Sequence, residues 1–454
     1  MQVDPGIFKA YDIRGIYNET LSDELAENIG RAFAKLLQEE NEGKRLSIMV
    51  TRDMRISSPV LANKVIEGLI KSGVDVVDAG MTSTPTFYFG VAFYGYDGGI
   101  QISASHNPSK YNGFKMVRSR GIPVSGESGI KKIRDWIING DLGNPVGDGS
   151  VQSKSGVLVE QTEVQKKWSD WSSFPDYKIV IDPANGMGCM DAEAMFKDTN
   201  CSIIKLNFEL DGTFPAHEAD PLKPENLTML RKAVIENKAD LGIAIDGDAD
   251  RYFFIDENGE VFKQEILRGL IGQQILKRFP GEKIGYDIRP GRSTTDMVKA
   301  AGGIPITTRV GHSLIKEQML KEDMIFSGES SGHYFFKQDY GTFEAPVILT
   351  GLVLDSLYKS GKKISELWKP FDIYFNSGEI NSEVKDVQGK IMEIKDKYVD
   401  GKQSNLDGIS VEYDDWWFNV RPSNTEPKLR LVLEAKSQKL MEEKRDELLI
   451  LIRN

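Results

Sequence analysis

The sequence predicts an α/β fold: three tandem related α/β domains with mixed or parallel sheets, then a C-terminal α+β domain. Two observations carry that expectation. One grammar of short apolar strand, loop, helix and second strand recurs three times. A strand at 46–50 runs through a 51–59 loop and a helix to about 69 into a strand at 74–77. The second copy runs from 178–181 through a helix near 192–196 to 202–206, and the third from 283–286 through a helix near 294–301 to 304–307. Strands alternating with helices imply parallel βαβ units. Each copy is also followed by an apolar strand ending in a polar loop: 99–102 into 103–108, 241–245 into 246–251, and 324–326 into 327–333. Ligands of open α/β sheets lie beyond the carboxyl ends of strands, so the three loops are expected to serve one shared cleft.

Turn-forming composition suggests the boundaries. Gly-Asn-Pro-Val-Gly-Asp-Gly-Ser at 143–150, a hairpin-like turn at 256–259 and the segment 361–372 divide the chain into 1–148, 149–255, 256–366 and 367–454. The last part breaks the grammar, alternating strands at 411–413 and 429–433 with an amphipathic helix from about Leu440.

With 454 residues, 40% of them hydrophobic and 28% charged, the chain can bury a sizeable core. A net charge of -11 argues against a nucleic-acid surface or an anionic membrane as partner, so any phosphate site must be locally basic. Cys189 and Cys201 are the only cysteines, which points to a reducing compartment without a disulfide framework. No apolar run reaches transmembrane length and no leader pattern opens the chain, so a cytoplasmic location is expected.

The loop Asp246-Gly-Asp-Ala-Asp-Arg251 offers three carboxylates at alternate positions. On an extended chain they would be too spread for one ion, and Gly247 is expected to let the loop curl so that Asp246, Asp248 and Asp250 converge. Hard oxygen ligands suit Mg²⁺. A solvated acidic turn fits poorly, because an apolar strand aims the loop from a sheet edge. An EF-hand loop would need glycine where Arg251 stands. A haloacid-dehalogenase-type phosphatase would use Asp246 as nucleophile but not Asp250 in its last slot.

Ser103-Ala-Ser-His-Asn-Pro108 presents a serine hydroxyl at Ser105, on what alone would be an ordinary turn. Asn112-Gly113 reads as a second turn presenting Lys115, a cation able to neutralise a transferring phosphate and help move a proton. His106 is expected to point away from Ser105, since adjacent side chains normally diverge. Gly328-Glu-Ser-Ser-Gly332 formally matches the nucleophile elbow of α/β-hydrolases, but the only later histidine is His333, so no triad forms in the expected order. That loop is better suited to gripping sugar hydroxyls. Arg421-Pro-Ser-Asn-Thr-Glu-Pro427, with Arg430 beyond it, has the makings of a phosphate nest. A phosphate-bearing hydroxyl beside a cation-binding cluster is the equipment of phosphoryl transfer.

Taken in order with Phe8-Lys-Ala-Tyr-Asp-Ile-Arg-Gly15, these motifs resemble the signature loops of the α-D-phosphohexomutase superfamily over essentially the whole chain, most closely its phosphomannomutase/phosphoglucomutase branch. The resemblance implies a TATA-binding-protein-like fourth domain. It implies that Ser105 is the phosphorylated serine and that Asp246, Asp248 and Asp250 hold Mg²⁺ together with it. Arg14, Lys115 and Arg251 would serve phosphoryl transfer. Glu329 and Ser331 would bind sugar hydroxyls, with His333 nearby. Arg421, Ser423, Asn424, Thr425 and Arg430 would grip the non-reacting phosphate, and Tyr11, His106, Arg289 and His312 would be further substrate contacts.

The implied activity is reversible phosphoryl transfer between the 1- and 6-positions of mannose or glucose phosphates. It would pass through a hexose 1,6-bisphosphate, which also serves as activator, in a monomer or homodimer. Phosphoglucosamine mutase is an alternative, because Ser330, Pro422 and Glu426 lie where branches differ or overlap. A Mg²⁺-dependent sugar-phosphate phosphatase and an idle sugar-phosphate-binding protein are readings of other classes.

Overall fold

The computed structural model describes residues 3–423 and 428–454. It divides into two compact units: the chain up to Phe262 together with Ser331–Leu367, and Lys263–Ser330 together with Trp368–Asn454.

The first unit contains two sheets built on one plan. In one, Ser47–Arg52 lies between Asp75–Met81 and Gly98–Ile102, all parallel, and Tyr111–Arg118 and Ile13–Ile16 extend it antiparallel. In the other, Lys178–Asp182 lies between Ser202–Lys205 and Leu241–Ile245, again parallel, and Tyr252–Ile255 adds antiparallel. The helices Ser58–Lys71 and Gly188–Phe196 make the crossovers. The second unit repeats the plan around Lys283–Asp287, parallel to both Ile304–Thr308 and Phe326–Gly328. Its other sheet is antiparallel, Lys402–Ser404 to Ile409–Glu412 to Trp416–Pro422 to Lys428–Ala435, backed by the helices Val387–Lys397 and Gln438–Arg453. The expected architecture of three α/β repeats and an α+β segment is what the structure contains.

Two details differ from expectation. The strand expected at 324–326 begins at Phe326 and reaches Gly328, because only from Ile284↔Phe326 onward does the chain pair with its neighbour. Beyond the 143–150 linker, Val151–Ser153 pairs parallel with Asp75–Met81, so the linker returns the chain to the first sheet's edge.

Local chemistry explains the elements around the site. Asp23–Glu40 starts at Ser22, whose hydroxyl accepts from Leu25 N, with Asp23 and Glu24 complementing the helix N-terminus. Its Leu25, Ile29, Phe33 and Leu37 face the first core. Thr84–Phe93, capped by Ser83 with Pro85 in its first turn, is apolar on every face and buried through nine of its ten residues. Such a helix cannot be a surface element, and its first turn reaches the site.

Candidate active site

In the first unit, the loops after Gly98–Ile102 and Leu241–Ile245 meet. Ser105 is buried and adopts φ 53°, a left-handed conformation uncommon for serine. Its Oγ stands 3.3 Å from Asp246 Oδ2 and 3.1 Å from His106 Nδ1. The expectation that His106 turns away from Ser105 therefore fails: the positive φ brings the two adjacent side chains onto one side. Burial and the cations Arg251 and Arg14 push the His106 imidazolium far below its ordinary range, so the ring is neutral.

The three aspartates converge as the spacing suggests, all buried, with one oxygen of each within 4.8 Å of the others. Gly247 and Asp248 are the central residues of the turn that curls the loop, closed by Ala249 N donating to Asp246 O at 3.1 Å. The left-handed conformation falls on Ala249, φ 64°, while Gly247 lets the loop approach the Ser105 backbone. Asp246 Oδ1 accepts from the backbone N–H groups of Asp250 and Arg251, both at 3.1 Å. Asp248 Oδ2 accepts from Thr84 Oγ1 at 2.6 Å and lies 3.0 Å from Lys115 Nζ, which also donates to Asp250 Oδ2 at 2.9 Å. Burial and the neighbouring Asp250 and Asp248 push Asp246 well above the usual carboxylate range. Burial works against Asp250 too, but Lys115 holds it down at about 2.

Lys115 is presented by a strand and not by a turn. Asn112 and Gly113 lie inside Tyr111–Arg118, where Asn112 Nδ2 donates to the Ser57 and Ser58 hydroxyls at 2.8 and 2.9 Å. Gly113 permits close strand approach, since a Cβ there would stand 2.3 Å from Ile13 O.

Three carboxylates, a serine oxygen and no thiolate form a donor set for a hard divalent cation such as Mg²⁺. Among the described residues no hydrogen bond reaches Asp248 Oδ1 or Asp250 Oδ1, which leaves two buried oxygens facing a potential ion. A second cluster, Asp250, His333 and Glu344, is less suited. Arg251 Nε donates to His333 Nε2 at 3.1 Å, so a neutral ring carries its proton on Nδ1, towards Glu344 Oε1 at 3.3 Å. Arg14 is fixed by Asp12 at 2.7 Å and by Asn107 Oδ1 at 2.9 Å. Tyr11 sits half-buried in the bend before Ile13–Ile16, and Ser331 is buried in the same unit.

The second unit assembles a separate basic group. Arg289 Nε donates to Asp287 Oδ2 at 2.5 Å and its Nη2 to Glu329 Oε1 at 3.1 Å, which also accepts from Gly311 N at 3.2 Å. Burial opposes the Asp287 charge, but Arg289 and Arg268 hold its carboxyl at about 2. Arg421 and Arg430 both pair with Glu379, and Arg430 Nη2 reaches Ser423 Oγ at 3.3 Å. His312 begins the helix His312–Glu322. Asn424 and Thr425 lie outside the described residues.

Sequence reasoning passed over Arg55, Thr84, Arg268, Asp287, Glu344 and Glu379. Arg55 and Asp287 stand at or just beyond the carboxyl ends of parallel strands, a position that could have marked them.

Tandem α/β repeats with a buried serine facing a carboxylate triad and a lysine define a multidomain α/β enzyme equipped for phosphoryl chemistry. Comparison with known proteins narrows the class. Four family models match in order: phosphoglucomutase/phosphomannomutase α/β/α domain I over 5–142, domain II over 158–259, domain III over 265–374, and the C-terminal domain over 379–451. The chain belongs to the phosphoglucomutase/phosphomannomutase family, whose members are phosphohexomutases and hence isomerases. It is 39% identical over 447 residues to a phosphomannomutase of Methanocaldococcus jannaschii, covering 98% of this chain and 97% of that one. It is 37% identical over 456 residues to a phosphomannomutase of Vibrio cholerae, covering 98% of each. The crystal structure of a phosphoglucomutase/phosphomannomutase family protein from Burkholderia thailandensis superposes with a TM-score of 0.89 at 31% identity, covering 99% of this chain and 97% of that one.

Proposed function

We propose that this protein interconverts the 1- and 6-phosphates of mannose, glucose or both through a phosphoserine at Ser105 and a hexose 1,6-bisphosphate. One observation carries the reading: the Ser105 hydroxyl, buried in a left-handed turn, stands 3.3 Å from a carboxylate of a convergent triad that Lys115 neutralises in part. A charge-neutralised hydroxyl at the end of a parallel strand suits in-line phosphoryl transfer, where positioning and electrostatics supply most of the rate.

Asp246, Asp248 and Asp250 would hold Mg²⁺ with Ser105, and the ion would supply charge neutralisation on the phosphoryl oxygens. The remaining work falls to side chains. In the forward half, the bond from phosphorus to Ser105 Oγ breaks as one forms to a sugar hydroxyl, whose proton ends on the freed Ser105 Oγ. In the reverse half, the bond from the other phosphorus to its sugar oxygen breaks as one forms to Ser105 Oγ, and the serine proton ends on the freed sugar oxygen. The neutral His106, 3.1 Å from Ser105 Oγ, would orient that oxygen, while burial beside Arg251 and Arg14 makes the ring a poor proton acceptor. Lys115, Arg14 and Arg251 would stabilise charge at the transferring group.

Glu329 and Ser331, with His333, Arg289, His312 and Tyr11, would contact the sugar. Arg421, Ser423, Asn424, Thr425 and Arg430 would grip the phosphate that is not reacting. Hexose 1,6-bisphosphate would act as activator by charging Ser105. We place the protein in the cytoplasm as a monomer or homodimer, with domain limits near 148, 255 and 366.

The test is intact-protein mass after exposure to glucose 1,6-bisphosphate, with the added phosphoryl group mapped by peptide. The expected mass gain is one phosphoryl group on Ser105, and Ser105→Ala abolishes both the gain and mutase turnover. Near-normal turnover in a verified Ser105→Ala protein overturns the reading, and steady release of inorganic phosphate turns it into a phosphatase.

A further inference from the structure

We infer that Arg55 is the positioning residue of the serine loop, its guanidinium gathering four backbone carbonyls and so fixing the left-handed turn that presents Ser105. This inference rests on the phosphoserine reading.

Arg55 lies on the loop after Ser47–Arg52, and its side chain is wholly buried. Nη1 donates to Pro108 O at 2.9 Å and Tyr111 O at 3.0 Å. Nη2 donates to Ser105 O at 2.8 Å and Asn107 O at 2.6 Å. Nε faces Asp53 Oδ2 at 3.2 Å, and the guanidinium carbon stands 5.0 Å from the centre of the Phe214 ring. Asp53 is itself fixed, its Oδ1 accepting from Ser58 Oγ at 2.5 Å and from Arg55 N at 3.0 Å.

Four carbonyl oxygens converging on one point repel one another, and the wholly buried Arg55 guanidinium needs acceptors for its own donors. A planar fork with several fixed donors satisfies them together, whereas an ammonium has three donors around a single nitrogen and cannot span the same set. The carbonyls belong to 105, 107, 108 and 111, so the clasp holds the serine and the arm of the loop that follows it into the strand Tyr111–Arg118. Left-handed backbone is disfavoured for an L-residue, and Ser105 needs surrounding structure to keep it there. Arg55 bonds to the Ser105 carbonyl and not to its hydroxyl, so it acts through the loop without touching reacting atoms.

The experiment measures single-turnover loading of Ser105 from glucose 1,6-bisphosphate by intact mass, alongside steady-state kinetics and thermal melting. It compares wild type, Arg55→Lys, Arg55→Met and Asp53→Asn. Arg55→Lys is expected to fold and to load Ser105 about 10²-fold more slowly, the scale of a 1 Å misplacement, with kcat falling in step and KM within about twofold. Asp53→Asn keeps the cation, removes its brace, and is expected to slow loading about tenfold. If Arg55→Met fails to fold, the other two variants decide. A folded Arg55→Lys protein that loads Ser105 at the wild-type rate, or one that loses thermal stability with kcat and loading unchanged, overturns the inference. If wild-type protein never loads Ser105, the phosphoserine reading itself fails, and the two failures are distinct.

Discussion

Gly247 lies against Ser105 with no room for a side chain: a Cβ on the glycine would stand 2.6 Å from the Ser105 carbonyl oxygen. That oxygen is also one of the four that Arg55 gathers. The metal loop and the serine loop therefore meet backbone to backbone, and the distance from Ser105 Oγ to Asp246 depends on a missing methyl group.

Gly247→Ala should push the serine loop off the triad. Steady-state assay should show kcat/KM falling by about 10²-fold, and melting a stability loss of about 1–3 kcal/mol, the range for overpacking. Unchanged kcat/KM would show that the close approach has no bearing on turnover.

Removing the cation should stop turnover. Three buried carboxylates repel one another, and Lys115 offsets only part of that charge. Excess chelator should abolish activity and added Mg²⁺ restore it, while Asp248→Asn should raise the Mg²⁺ concentration giving half-maximal rate. Full activity in chelator removes the ion from the mechanism.

Mannose and glucose 1-phosphates should both be accepted, with kcat/KM values separated by about 1–3 kcal/mol, the scale of a modest pocket difference. Glucosamine 1-phosphate should be the poorer substrate. A panel assayed with purified protein checks this, and a clear preference for the amino sugar would move the assignment to the phosphoglucosamine branch.

Asp191, on Gly188–Phe196, is buried, with the Ser83 hydroxyl beside its carboxylate. Burial pushes its carboxyl up to about 7, from an ordinary 3.8. The folded protein then keeps this proton until about pH 7, while the unfolded chain releases it near 3.8. Stability from this group is therefore full below about pH 4, is lost as pH rises to about 7, and stays lost above. About three pH units at ~1.4 kcal/mol each put the loss near 4 kcal/mol. Asp191→Asn should raise the melting temperature at about pH 8 and change it little near pH 4. An equal change at both values contradicts the assignment.

Much of this was legible in the chain because it is local. Each βαβ repeat declares itself by apolar runs with polar loops between them. The triad declares itself because Leu241–Ile245 delivers three alternate aspartates beyond a strand end. What sequence did not disclose depends on partners far along the chain. Asn112-Gly113 has turn composition, yet it stays in a strand because Ser57 and Ser58 bind the asparagine. Alanine is a poor predictor of left-handed backbone, so the φ of 64° at Ala249, just after the turn at Gly247, was not legible. Arg55 is one basic residue among many until four carbonyls from a distant loop are found around it.

The division into compact units carries a consequence for biosynthesis. Ser331–Leu367 belongs with the chain up to Phe262, while Lys263–Ser330 belongs with Trp368–Asn454. The ribosome must therefore make an insert before it can finish the first unit. At about 5–20 residues per second, the interval between emergence of Phe262 and of Leu367 is roughly 5–20 s. For about the first two-thirds of that interval the nascent chain lacks His333 and Glu344, and Arg251 waits for its imidazole partner.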